Sequence, residues 1–225
     1  MIGLIYKVQP YQESNRLLFV YTPRGKVSLV AKGSQRLYSE LRIISQYLTL
    51  IEFEDNNKRM QTLFKASLVD DFQLLKSDYF KAKQAAIMLE AIDKVHDDDL
   101  NHEYLFKELI NSLSSKNLRE ASLSFLMKLI SNSGFKPNTL ADGRKVIGFN
   151  LEKSVIVYEN ETLPISLNVR HLIILIKLIH LTSDKIDELS NEDYEVMEKF
   201  IKKYYEYHLR VSLKNIQEDK IDDYS

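Results

Sequence analysis

The sequence contains no cysteine, which excludes disulfides, thiolate catalysis and every zinc site that needs a sulfur ligand. The absence agrees with a reducing compartment. Glycine is scarce: six residues, at 3, 25, 33, 134, 143 and 148, through which no Gly-x-Gly-x-x-Gly fingerprint can be drawn. Gly143 and Gly148 have the spacing of a phosphate-binding loop, but Phe149 and Asn150 stand where such a loop needs Lys and Ser or Thr. Neither a Gly-x-Ser-x-Gly elbow nor a His-Glu-x-x-His pair occurs. Long apolar runs are missing too. The longest, Leu172 to Leu181, is ten residues and holds Lys177 and His180, against the roughly 20 needed to cross a bilayer. Lys7, Gln9 and Pro10 interrupt the N-terminus and argue against a secretory signal there. The expectation is a soluble, cytoplasmic protein with no membrane contact.

What is present is ordinary in amount and uneven in distribution. The 225 residues, 44% hydrophobic and 28% charged, suffice for one large or two small folded domains and exclude a wholly disordered chain. Net charge is −1. Residues 1–42 nevertheless carry seven basic side chains (Lys7, Arg16, Arg24, Lys26, Lys32, Arg36, Arg42) against Glu13 and Glu40, a net of +5. The other 183 residues hold 24 basic and 30 acidic groups, a net of −6. Such asymmetry suggests that one part meets a polyanion, the alternative being chance clustering on a solvated surface.

The first 70 residues have the period of strands. Gly3 to Val8 alternates, with Leu4, Tyr6 and Val8 on one side and Ile5 and Lys7 on the other. Arg16 to Thr22, a Pro23-Arg24-Gly25 turn and Lys26 to Lys32 follow, the last with Val27, Leu29 and Ala31 sharing a face. A polar stretch from Gly33 to Arg42 comes next, and Tyr47 to Glu54 with Met60 to Leu68 reads as a hairpin turning at residues 55–58. Five short strands predict a small closed barrel, because an open sheet would leave exposed edges.

After residue 76 the period becomes helical. Ser77 or Asp78 can cap a helix to about Val95, with Tyr79, Ala82, Ala86, Leu89 and Ile92 along one side. Helices over 102–114 and 118–133 follow, the second stopped by Gly134. Lys145 to Phe149 and Ser154 to Tyr158 predict a small hairpin. Leu172 to Leu181 reads as a central helix buried on all sides, and Asn191 to Leu213 as a long amphipathic one with Tyr194, Met197, Ile201, Tyr204, Tyr205 and Leu209 inward. The last ten residues, with four acids and one lysine, predict a frayed tail. The fold class is α+β, with domains at 1–76 and 77–225.

Histidines 96, 102, 171, 180 and 208 are scattered. His96 with Asp97, Asp98 and Asp99 is the most metal-like group, although adjacent aspartates do not converge on a cation without a shaped loop. No catalytic set, cofactor or metal is expected, and the chain is not expected to be an enzyme.

Several short stretches resemble the bacterial RecO recombination-mediator family. They are Gly3-Leu4-Ile5-Tyr6-Lys7, Tyr11-Gln12-Glu13-Ser14-Asn15-Arg16-Leu17, Tyr21-Thr22, Gly25-Lys26, and Val30-Ala31-Lys32-Gly33-Ser34-Gln35-Arg36. Ser133-Gly134-Phe135-Lys136-Pro137 and Tyr205-Glu206-Tyr207-His208-Leu209 with Leu213-Lys214 agree further on. The resemblance implies an OB-fold domain followed by a helical one. It implies a DNA-repair mediator that binds single- and double-stranded DNA, anneals strands, and acts with RecR and single-strand-binding protein to help load RecA. It would work in the cytoplasm, at the nucleoid. Many members carry a four-cysteine zinc module after the Gly-Phe-x-Pro position. Here residues 138–164 hold no cysteine, so a metal-free hairpin is expected.

An OB barrel grips single strands with a basic groove and stacking platforms. The candidates are Lys26 and Lys32 on one strand, Arg16 on its neighbour, Arg24 in the turn, Arg36, Tyr38 and Arg42 in the polar segment, and Tyr11 in the first inter-strand loop. The plain alternative makes the cations ordinary surface charges and packs the tyrosines on the barrel end. The helical half is expected to dock the acidic, apolar tail of single-strand-binding protein, with Lys128 a candidate contact. Two rival readings remain, an OB-type RNA-binding module and a pure protein adaptor.

Overall fold

The computed structural model describes residues 1–96 and 100–216. Its first strand, β1 (Ile2–Tyr11), is buried on both faces over Gly3–Tyr6, which the alternation explains. Ile5 points into a barrel core with Leu18, Val20, Leu29, Ile51, Phe53 and Leu63. Leu4 and Tyr6 point the other way, into a larger core shared with the helices. Next to β1 lie β2 (Asn15–Thr22) and β3 (Gly25–Ala31), joined by the expected tight turn. Gly3 has to lack a side chain, since a Cβ there would come within 2.4 Å of Val20 Cγ1.

A short helix, α1 (Leu41–Ile44), precedes β4 (Thr49–Glu52), β5 (Met60–Thr62) and β6 (Ser67–Asp70). The sheet order is β5-β3-β2-β1-β4-β6. The expected hairpin is corrected here: β4 pairs with β6, and β5 runs parallel to β3. One stretch of chain is thus split between the two edges of the sheet. Lys65 stands at the split with φ 46°, a left-handed conformation outside the extended region of regular strands. The four residues between β5 and β6 span at most about 17 Å. The two edges must therefore lie together, and the sheet closes into an OB-type barrel.

The helical half begins with α2 (Gln73–Lys76) and α3 (Tyr79–Lys94), whose cap is Asp78 accepting from the Lys81 N–H at 3.1 Å. Of the expected side, Leu89 and Ile92 are buried, together with Ala85, Ile87, Met88 and Ala91, while Tyr79 is 70% exposed. Then come α4 (His102–Leu113) and α5 (Leu118–Ile130), which continues into a π-helical turn ended by Gly134 at φ 89°. Every residue of α5 except Arg119 is buried. The central helix is therefore α5. After β7 (Val146–Asn150), β8 (Val155–Tyr158) and β9 (Leu167–Asn168) comes α6 (Val169–His180), the stretch expected at the centre. It buries one face only and leaves Ile173 52% exposed. The last long helix, α7 (Asn191–Tyr204), stops before Leu213. It widens into a π turn over Tyr205–Leu209 and ends where Arg210 takes φ 57°. Fully buried Tyr205 donates its hydroxyl to the Leu126 carbonyl at 2.7 Å there.

The β7–β8 hairpin is held by charge at its open end. Arg144 bridges Asp142 and Glu161, Lys145 pairs with Glu159, and the Arg144 guanidinium lies 3.7 Å from the Tyr158 ring centre. The aspartates 97–99 and the acidic tail from residue 217 fall outside the described residues.

Candidate nucleic-acid interface

The β1–β2 turn sets up one pole of the barrel. Asn15 accepts from the Gly33 N–H at 2.8 Å with its side chain, and Gln35 reaches the carbonyls of Asn15 and Ser14. These bonds fold the 32–40 loop onto the turn. Arg16 then ties α1 to the same pole, donating to the carbonyls of Arg42 at 3.2 Å and Ser45 at 3.1 Å. Lys32, Arg36 and Arg42 are exposed on this scaffold, and Tyr38 is 99% exposed between the two arginines in sequence. Tyr11 is half-buried at the very end of β1, opposite Asn15, rather than in the loop itself. Six candidates therefore gather at one pole: Tyr11, Arg16, Lys32, Arg36, Tyr38 and Arg42. Arg16 is already committed to backbone carbonyls.

Arg24 and Lys26 are not with them. They sit at the opposite end of β2 and β3, and both have intramolecular partners. Arg24 donates to Asp55 at 2.8 Å, and Lys26 to the Val95 carbonyl at 2.6 Å. Burial alone would raise the Asp55 carboxyl, but hydrogen bonds from Gln61 and Asn57 and the Arg24 charge hold it below the usual carboxylate range. Lys58 and Arg59, both exposed, belong to this second pole. Pattern reading passes over them because they end what looks like an ordinary polar turn.

Two of the histidines, His102 and His208, are held in packed surroundings. His102 Nδ1 lies 3.2 Å from the Tyr21 hydroxyl, and His208 Nε2 lies 2.8 Å from the Leu151 carbonyl. Among the described residues no three His, Asp or Glu side chains converge as a metal would require. Residues 138–164 do not fit a zinc module: they have no sulfur donors, and the carboxylates of Asp142, Glu159 and Glu161 are bound to Arg144 and Lys145.

On the helical half, exposed Phe80 and Lys81 of α3 face Lys116 and Leu118 across a groove of about 400 Å³. Leu74, 82% exposed, lines the adjoining depression. Lys128 is not part of any such surface. It is 2% exposed and paired with buried Glu108.

Comparison with known proteins bears on the whole chain. Residues 1–72 match the family model described as Recombination protein O N terminal, and residues 76–216 match Recombination protein O C terminal. A DNA repair protein RecO of Halalkalibacterium halodurans is 27% identical over 60% of this chain and 56% of its own length. The match thus spans little more than half of that relative. Proteins of the same name align more fully. That of Oceanobacillus iheyensis is 21% identical over 91% of this chain and 86% of its own. That of Shouchella clausii is 23% identical over 94% and 90%.

Proposed function

The chain belongs to the RecO family of DNA repair proteins, and from that premise we propose that it is a recombination mediator that works by binding and not by catalysis. Single-stranded DNA lies across the Tyr38 pole, its phosphates on Lys32, Arg36 and Arg42 and a base on the Tyr38 ring. The observation that carries this reading is Tyr38 itself, almost fully exposed and flanked in sequence by two exposed arginines. An aromatic ring held in water beside cations is what a stacking platform for nucleobases requires. Strand annealing, duplex binding, and action with RecR to help load RecA belong to the same reading.

Salt dependence tests it. Each phosphate neutralised on a single strand contributes about −0.7 to the slope of log affinity against log salt. Lys32→Ala and Arg36→Ala should each flatten the slope by about that amount, whereas Tyr38→Ala should cost about 1–3 kcal/mol at every salt concentration and leave the slope alone. Unchanged affinity and slope in a variant that combines Lys32→Ala, Arg36→Ala and Tyr38→Ala would place the DNA elsewhere. Equal affinity for RNA of the same sequence would favour the RNA-binding alternative.

For single-strand-binding protein, the groove between Phe80 and Lys116 offers what an acidic, apolar tail needs, an apolar wall beside lysines. Phe80→Ala with Lys116→Glu should weaken tail-peptide binding about tenfold or more, roughly 1.4 kcal/mol, while single-strand affinity stays the same. Tail binding that survives these changes would remove the groove from consideration.

A further inference from the structure

At the pole of the barrel away from Tyr38, the β2–β3 turn, the 55–59 loop and the start of α4 enclose a pocket of about 180 Å³. Four cationic side chains line it, Arg24, Lys26, Lys58 and Arg59, against the single carboxylate of Asp55. Asp55 is already saturated by Arg24, by the Gln61 amide at 2.8 Å and by the Asn57 N–H at 3.0 Å. It does not offset Lys58 and Arg59, which stand exposed at the rim. Gly25 takes φ 103° and has no Cβ, so the Nε2 edge of His102 packs over it, 3.1 Å from where a Cβ would stand. Where the Tyr21 hydroxyl donates to Nδ1, Nε2 carries the ring proton and adds a donor to the wall. A small polar cleft with excess positive charge and N–H donors suits a phosphate oxyanion, and apolar ligands find little wall there.

The pocket is separated from the Tyr38 pole by the length of β3. From Gly25 to Ala31, six steps at about 3.3 Å put the poles roughly 20 Å apart. That exceeds the screening length of about 8 Å at physiological salt, so an anion at one pole does not repel one at the other. We infer that this pocket is a second phosphate-binding site, which takes the backbone of another nucleic-acid strand while the Tyr38 pole holds the first. The inference rests on the DNA-binding function proposed above and extends it from one strand to two. Because His102 belongs to α4, this second site is formed jointly by the barrel and the helices.

The test uses the full chain and two oligothymidines with different fluorophores, which cannot pair with each other. The native protein should bind two strands per chain and bring the dyes into energy transfer. Lys58→Ala with Arg59→Ala should keep first-strand affinity within about twofold, lose the energy transfer and bind one strand per chain. The slope lost with the second strand is about 1.4, two contacts at about 0.7 each. Lys58→Arg with Arg59→Lys should restore both readouts. Energy transfer and stoichiometry unchanged in the alanine variant would overturn the inference. So would a fall in first-strand affinity equal to that of Lys32→Ala with Arg36→Ala, since both poles would then lie on one strand's track. A native protein that binds one strand only would defeat this inference and spare the proposed function; one that binds none would defeat both.

Discussion

Removing the Arg16 guanidinium would take away a donor from the Ser45 carbonyl, leave the Arg42 carbonyl to the Gln46 amide alone, and free α1 from the barrel end. Two charge-assisted bonds of this kind, half in water, are worth about 1–3 kcal/mol together. Arg16→Ala should therefore lower the melting temperature and speed amide exchange across 41–45, effects that Arg36→Ala should not show. Both variants would bind DNA less well, so only the stability measurement separates them. Composition makes these two arginines look alike. What distinguishes them is where a carbonyl sits 26 residues away, which no local pattern carries. Lys128 is the other case. On a helical wheel it is a surface cation, yet it lies buried against Glu108. Lys128→Met should cost about 3–5 kcal/mol in denaturant unfolding, because it strands a buried carboxylate. Adding Glu108→Gln should recover most of that loss. A single variant as stable as the parent would mean that the pair is solvated.

Among the elements, the period of β1 to β3, the turn at Pro23-Arg24-Gly25 and the Asp78 cap were legible. The pairing of β5 and the centrality of α5 were not. β5 is three residues long, and its partner lies more than thirty residues earlier in a parallel arrangement that periodicity cannot announce. α5 holds Glu120, Ser122, Ser124 and Lys128, which read as a wet face. Each is satisfied from afar, Ser124 by the Leu178 carbonyl at 2.8 Å and Glu120 by the Leu189 N–H at 3.2 Å. The β7–β8 hairpin makes a pH prediction. Hydrogen bonds from Arg144, first through its side chain and then its backbone, hold the Asp142 carboxyl down to about 2 from an ordinary 3.8. A depressed carboxylate stabilises the fold fully above its unfolded value and loses that contribution as pH falls through its folded one. Hairpin amide protection should thus hold down to about pH 4 and decline toward about pH 2. In Arg144→Ala the carboxyl resonance of Asp142 should titrate close to the ordinary value. With these carboxylates so engaged, elemental analysis after chelator dialysis should find no stoichiometric zinc. One zinc per chain would refute that.

At the scale of the whole molecule, the barrel and the helices share a core. Leu4, Tyr6, Tyr21, Leu48 and Leu50 of the barrel pack in one cluster with Phe106, Phe125 and Leu126 of the helical half. The sequence shows both halves and hides their fusion, since an apolar residue on the outer face of a strand looks the same whether it meets solvent, a partner or a helix. A fragment of residues 1–72 should fail to fold stably, because it would bare this face to water at about 25 cal/mol per Å² of apolar surface. Tyrosine fluorescence and helical circular dichroism should report one coincident unfolding transition for the full chain. Two separated transitions would mean that the seam is weaker than its packing indicates. The barrel also has a clasp. It is closed by a single stretch of chain that grips β3 through three residues and β4 through three of the four in β6, a strand exposed along its whole length. Such a fastening is the cheapest place for the ring to spring apart, so transient opening of the native protein should begin at Ser67–Asp70 and unzip toward Lys65 while β1, β2 and β3 remain fastened to one another.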